Sequence, residues 1–66
     1  MQIYVNGAPC AMPETAHLSA LLLDLGLLDK RVAVEINHEI VPRAQHSERA
    51  LRDGDRVEIV QAIGGG

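Results

Sequence analysis

The chain has 66 residues, 47% of them apolar and 23% charged, with nine acidic and six basic side chains for a formal net charge of -3. That composition suits one folded domain with a small core, because a chain of this size buries only about 60% of the surface it exposes when unfolded, leaving little room for an enclosed active site. The acidic balance, the scattered Lys and Arg, and one Tyr without Phe or Trp argue against nucleic acid as the main partner, since phosphate needs clustered cations and base stacking needs aromatic planes; a basic protein partner fits better.

Gln2-Ile3-Tyr4-Val5-Asn6 alternates with period two, which puts Ile3 and Val5 on one face and Tyr4 on the other. Asn6-Gly7 is a strong hairpin-turn signal. A short second strand is expected around Cys10 to Met12, bracketed by Pro9 and Pro13 at a sheet edge, where a missing N–H is tolerated. From Thr15 the period changes. Leu18, Leu21, Leu22 and Leu25 follow the i, i+3, i+4, i+7 spacing of one helical face, with Thr15 as N-cap, Gly26 in the left-handed C-terminal position, and Leu23 on the outer face. This predicts about three turns of helix.

Val32 to Asn37 returns to period two, with Val32, Val34 and Ile36 directed inward. Asn37-His38-Glu39 turns the chain into a brief strand at Ile40-Val41, which Pro42 ends. Ala44 to Leu51 predicts one or two helical turns anchored by Ala50 or Leu51. Asp53-Gly54-Asp55 is a tight turn, and a last strand over Arg56 to Ala62 places Val57 and Ile59 in the core. Two N-terminal strands and a C-terminal strand around one main helix make an α+β roll, with the helix crossing one sheet face, the economical arrangement. By parity Tyr4, Ala33, Val60 and Ala62 face away from the helix, as a candidate partner-docking patch.

Other chemistry is thinly signalled. Cys10, alone, forms no internal disulfide, which fits a reducing compartment. Met1-Gln2-Ile3 lacks the charged start of a signal peptide, and the apolar run Ala20 to Leu23 is far too short to span a bilayer, so the cytosol is the expected location. His17, His38, His46 and Cys10 lack the close pairing of a structural zinc motif, and the histidines read as surface residues. Cys10 reads as a small half-buried hydrophobe. Asp53-Gly54-Asp55 lacks the remaining ligands of a calcium loop, and no helix or Lys follows Gly64-Gly65-Gly66 to make it a phosphate loop.

Several segments together resemble a known family: Met1-Gln2-Ile3 with Asn6-Gly7, the leucine helix, Val34-Glu35-Ile36-Asn37-His38-Glu39-Ile40-Val41-Pro42-Arg43, and Asp53-Gly54-Asp55-Arg56-Val57-Glu58-Ile59-Val60 running into Ala62-Ile63-Gly64-Gly65-Gly66. The chain resembles the ThiS family, sulfur carriers of bacterial thiazole synthesis within the ubiquitin-like ThiS/MoaD superfamily. The resemblance implies a β-grasp domain over residues 1–62, with a mixed sheet of four to five strands on one main helix plus a short second helix. It also implies a flexible glycine tail over 63–66. Gly66 would carry the sulfur, Gly65 would complete the required pair, and Gly64 would add reach.

By the same resemblance the chain is a carrier and not an enzyme. A ubiquitin-activating-type adenylating enzyme (ThiF-like) consumes ATP to activate the Gly66 carboxylate, which is an anion and a poor electrophile at neutral pH. A persulfide enzyme supplies sulfur, and the thiocarboxylate serves a thiazole synthase (ThiG-like). The chain itself binds no cofactor. Glycine suits such an end because, lacking Cβ, it lets backbone enter a narrow channel. Molybdopterin-type (MoaD-like) sulfur carriage, conjugation to lysine as a ubiquitin-like modifier, and a plain interaction domain are the alternatives.

Overall fold

The computed structural model of the chain describes residues 1–61; Ala62 and the tail expected over 63–66 lie outside the described residues. In chain order it contains β1 (Gln2–Val5), β2 (Ala8–Ala11), α1 (Leu18–Asp24), β3 (Val32–Ile36), β4 (Glu39–Val41), a 3-10 turn at Arg43–Gln45, and β5 (Arg56–Gln61). The strands form one sheet in the order β2-β1-β5-β3-β4. β1 and β5 run parallel, and the other neighbours are antiparallel. Ile3, Val34, Ile36, Val57 and Ile59 point from its inner face into a core shared with Leu18, Leu21 and Leu22 of α1. This is the α+β roll of β-grasp type that the period changes and the resemblance imply.

Both hairpins are two-residue turns with left-handed φ at each central residue, +50° and +86° at Asn6 and Gly7, +52° and +69° at Asn37 and His38. That geometry matches the twist of the flanking strands. The second strand begins at Ala8, earlier than the Cys10 to Met12 expected, and contains Pro9 instead of following it. Met1 and Met12 exchange both backbone hydrogen bonds, 2.7 and 2.9 Å. Bonded and non-bonded pairs alternate along an antiparallel ladder, so Pro9, opposite Tyr4, falls at a non-bonded pair on the outermost strand and leaves no ladder bond unmade.

The helix is shorter than its leucine spacing predicts, seven residues, and its N-cap is His17, not Thr15. The residues expected in the first turn are drawn into pairing elsewhere. Leu18 N–H donates to Arg49 C=O (2.8 Å), Leu51 N–H to Ala16 C=O (2.9 Å), and Ser19 N–H to His46 C=O (3.1 Å). Backbone carbonyls of a distant loop thus do the work of a side-chain cap. The same pairing holds residues 49 to 51 extended, so the expected second helix shrinks to the 3-10 turn, and Leu51, not Ala50, is the buried anchor.

At the other end Gly26 N–H donates to Leu23 C=O (3.0 Å) and Leu27 N–H to Leu22 C=O (2.7 Å), the Schellman pattern, with Gly26 at φ +73°. Leu25 becomes the cap and is 45% exposed, so it leaves the core face that its spacing predicts, while Leu27 packs partly against the core. A Cβ at Gly26 would meet nothing within 4 Å, so Gly26→Ala is expected to cost only the left-handed conformation, about 1 kcal/mol, read as a lower urea midpoint at unchanged slope.

Candidate functional site

The strand that leads toward the C-terminus sits in the middle of the sheet, between β1 and β3. Its alternation buries Val57 and Ile59 and leaves Arg56, Glu58 and Val60 on the face opposite α1. Its start is held tightly. The Asp55 carboxylate, buried, accepts hydrogen bonds from Asn37 Nδ2 (3.0 Å) and Arg52 N–H (2.8 Å), and Arg56 N–H donates to Asn37 Oδ1 (3.0 Å). A buried carboxylate without such donors would be costly. Asp53 Oδ1 accepts from Gln2 N–H (2.8 Å) and Gly54 N–H donates to Gln2 C=O (2.7 Å), so the predicted turn is also tied to β1.

On the outer face, Ala33 and Val60 are direct cross-strand partners, as are Glu35 and Glu58, and Glu35 also lies opposite Ile40. Val60 is 67% and Ile40 77% exposed, which makes an acidic centre with an apolar side chain on either flank. Like charges directly opposite in a sheet destabilise it modestly, so the Glu35–Glu58 pair works against folding. Tyr4 lies on the same face but level with Arg56, whose guanidinium is 5.8 Å from the ring centroid. Four residues of strand, about 13 Å, separate that level from Val60.

The structure therefore brings Ala33 and Val60 together and leaves Tyr4 at the far end of β5, while Ala62, Gly64, Gly65 and Gly66 lie outside the described residues. Ile40 and the acid pair were not singled out by the sequence reading, although the parity of β3, β4 and β5 carries them. His17 and His38 are exposed as expected. His46 is not a surface residue: it is 8% exposed and its Nε2–H donates to Val41 C=O (3.0 Å), because the chain after the 3-10 turn folds inward to reach Leu51. Cys10 is half-buried against the core. Among the described residues no three of His, Cys, Asp and Glu gather where they could hold a metal ion, and no helix is long and apolar enough to cross a membrane.

Known proteins share this arrangement. A protein named thiazole synthase from Paramagnetospirillum magneticum is 42% identical over 66 residues, all of this chain but only 20% of that protein. The sulfur carrier protein ThiS of Escherichia coli is 38% identical over 68 aligned positions that cover 100% of both chains. The crystal structure of the thiamine biosynthesis protein ThiS from Geobacter metallireducens superposes with a TM-score of 0.83 at 33% identity, again over 100% of both chains. The ThiS family profile matches residues 2–66, both hairpins, the leucine helix and the glycine end included, and this chain belongs to the ThiS family.

Proposed function

We propose that the chain is a sulfur carrier for thiazole formation in thiamine biosynthesis, and that the carboxylate of Gly66 is the group that carries the sulfur. The observation that carries this reading is full-length similarity to a sulfur carrier of the same size, in a chain whose central strand leads straight toward Gly64-Gly65-Gly66. Relatives named thiazole synthase, in which the matching stretch is 20% of the protein, support a thiazole synthase as sulfur acceptor. In this reading residues 1–62 are the folded carrier and 63–66 the segment offered to partners, in a reducing compartment such as the cytosol.

The chemistry requires activation, since an ionised carboxylate resists attack by sulfur. A ubiquitin-activating-type enzyme converts the Gly66 carboxylate with ATP into an acyl adenylate, releasing pyrophosphate. The terminal sulfur of a persulfide then displaces AMP to form an acyl disulfide, and a second thiol cleaves its S–S bond, releasing the thiocarboxylate and leaving a disulfide between the two thiols. Incubation with such an enzyme, ATP, a persulfide source and a thiol reductant should raise the intact mass by one oxygen-to-sulfur exchange. An unchanged mass with an enzyme that loads the Escherichia coli carrier would refute the reading.

Docking in this scheme uses the outer face around Ala33 and Val60, with Ile40 on the further strand. Val60→Asp places a third carboxylate beside Glu35 and Glu58 and removes the exposed apolar contact. Affinity for the activating enzyme should drop about tenfold or more, with the thermal midpoint within a few degrees of the parent. Unchanged affinity by calorimetry would remove Val60 from the interface.

A further inference from the structure

β1 and β5 pair over only two positions, Tyr4↔Arg56 and Val5↔Val57, yet β5 continues to Gln61 and stays paired with β3 throughout. Beyond Val57 its β1-facing backbone has lost its partner strand, because the chain turns away at Asn6-Gly7. Main-chain bonds on this side run from Tyr4 N–H to Asp55 C=O (2.9 Å) and from Asn6 N–H to Val57 C=O (2.8 Å). Two residues further on, the side chain takes over. Ile59 N–H donates to Asn6 Oδ1 (2.8 Å), and Asn6 Nδ2 donates to Ile59 C=O (3.2 Å).

A carboxamide has the donor and the acceptor of a peptide group, so it can add one rung to a ladder whose strand has ended. The turn alone does not require it. At φ +50° glycine would serve as well as asparagine, so the amide of Asn6 is free to do something the turn does not need. Asn37 does the equivalent at the start of β5, bonding Arg56 N–H. The central strand is thus held at its start and again at Ile59 by the first residue of a hairpin turn.

We propose that Asn6 is a positioning residue: its side-chain amide braces the terminal half of β5 and so fixes the position and direction of the strand up to Gln61, the last described residue before the glycine end. This rests on the sulfur-carrier reading, in which Gly66 must enter a partner's site in one geometry, where a displacement of about 1 Å far from the chemistry can cost about a hundredfold in rate. Docking through the outer face does not depend on Asn6, so loss of the brace acts on turnover and not on binding.

The test uses Asn6→Gly, which keeps the turn and deletes the amide, and Asn6→Asp, which keeps the acceptor for Ile59 N–H and loses the donor. In the free protein, the Ile59 amide of Asn6→Gly should exchange with solvent about tenfold faster, with the Val34 amide as reference for global opening. NMR order parameters at Val60 and Gln61 should fall. With the activating enzyme, kcat for sulfur loading should fall about tenfold at unchanged KM, and Asn6→Asp should lie between Asn6→Gly and the parent. Equal acceleration at Ile59 and Val34 makes Asn6 a general stabiliser and overturns the proposal. So does a loosened Ile59 with unaltered loading. A parent chain that is never loaded refutes the carrier reading, and the brace then stands or falls on exchange and order parameters alone.

Discussion

Deleting Gly66, or adding one residue after it, is expected to abolish thiocarboxylate formation while leaving the fold unchanged. The reacting carbon is the terminal carboxyl carbon itself. Deletion moves it one residue, at most about 3.5 Å, back toward the sheet, and extension buries it in an ordinary peptide bond. Either displacement exceeds what an in-line attack tolerates. Stability should be untouched, because among the described residues every buried core residue lies between Ile3 and Ile59. The measurement is intact mass after incubation with activating enzyme, ATP, persulfide and a thiol reductant, beside a thermal melt. Full sulfur loading of either variant would show that the acyl group at residue 66 is not the carrier.

Leu21→Ala should produce the largest loss of stability among single core truncations of α1. Leu21 is 0% exposed, in the middle of a seven-residue helix that faces the sheet with Leu18 and Leu22. Truncating a buried Leu to Ala costs about 2–5 kcal/mol, from lost transfer energy and the cavity left behind. A domain of this size has only about 3–10 kcal/mol in total. A fall in thermal midpoint of about 15 °C or more is expected, with much of the population unfolded at moderate urea. Leu23→Ala on the same helix, at 63% exposure, should stay within about 0.5 kcal/mol of the parent. Equal effects at the two positions would mean that α1 does not pack on the sheet through Leu18, Leu21 and Leu22.

The two predictions probe different parts of the molecule, and those parts differ in how openly the sequence displays them. Period two in Gln2 to Asn6, Val32 to Asn37 and Arg56 to Ala62, and the leucine spacing from Thr15, made β1, β3, β5 and α1 legible, with the correct face buried in each strand over the described residues. Those patterns are local: a strand or helix with one wet face must repeat its apolar residues at its own period. Asn6-Gly7 and Gly26 were equally plain, since few other residues accept left-handed φ. The glycine end, read with its flanking segments, points to the ThiS family, and the match over residues 2–66 bears that out.

What the spacing misjudged lies where two distant segments compete for the same backbone. Thr15 has the chemistry of an N-cap and Leu25 the spacing of a core residue. The long-range bonds of Leu18 to Arg49 and Leu51 to Ala16 claimed the first turn, and the Schellman turn at Gly26 rotated Leu25 outward. The burial of His46 against Val41 C=O follows from the same pairing, centred on the bridge between His17 and Ala50, and no pattern around His46 hints at it.

The sequence by itself determined the order of elements, the faces they bury and the family, because each is written in residues close together along the chain. Only the tertiary structure decided how long the helices are, which outward side chains become neighbours, and how β5 is held on the way to the glycine end. Those depend on register between strands that are far apart in sequence. Val60 meets Ala33 and not Tyr4, and Asn6 reaches Ile59, because β5 is the strand on which both hairpins close.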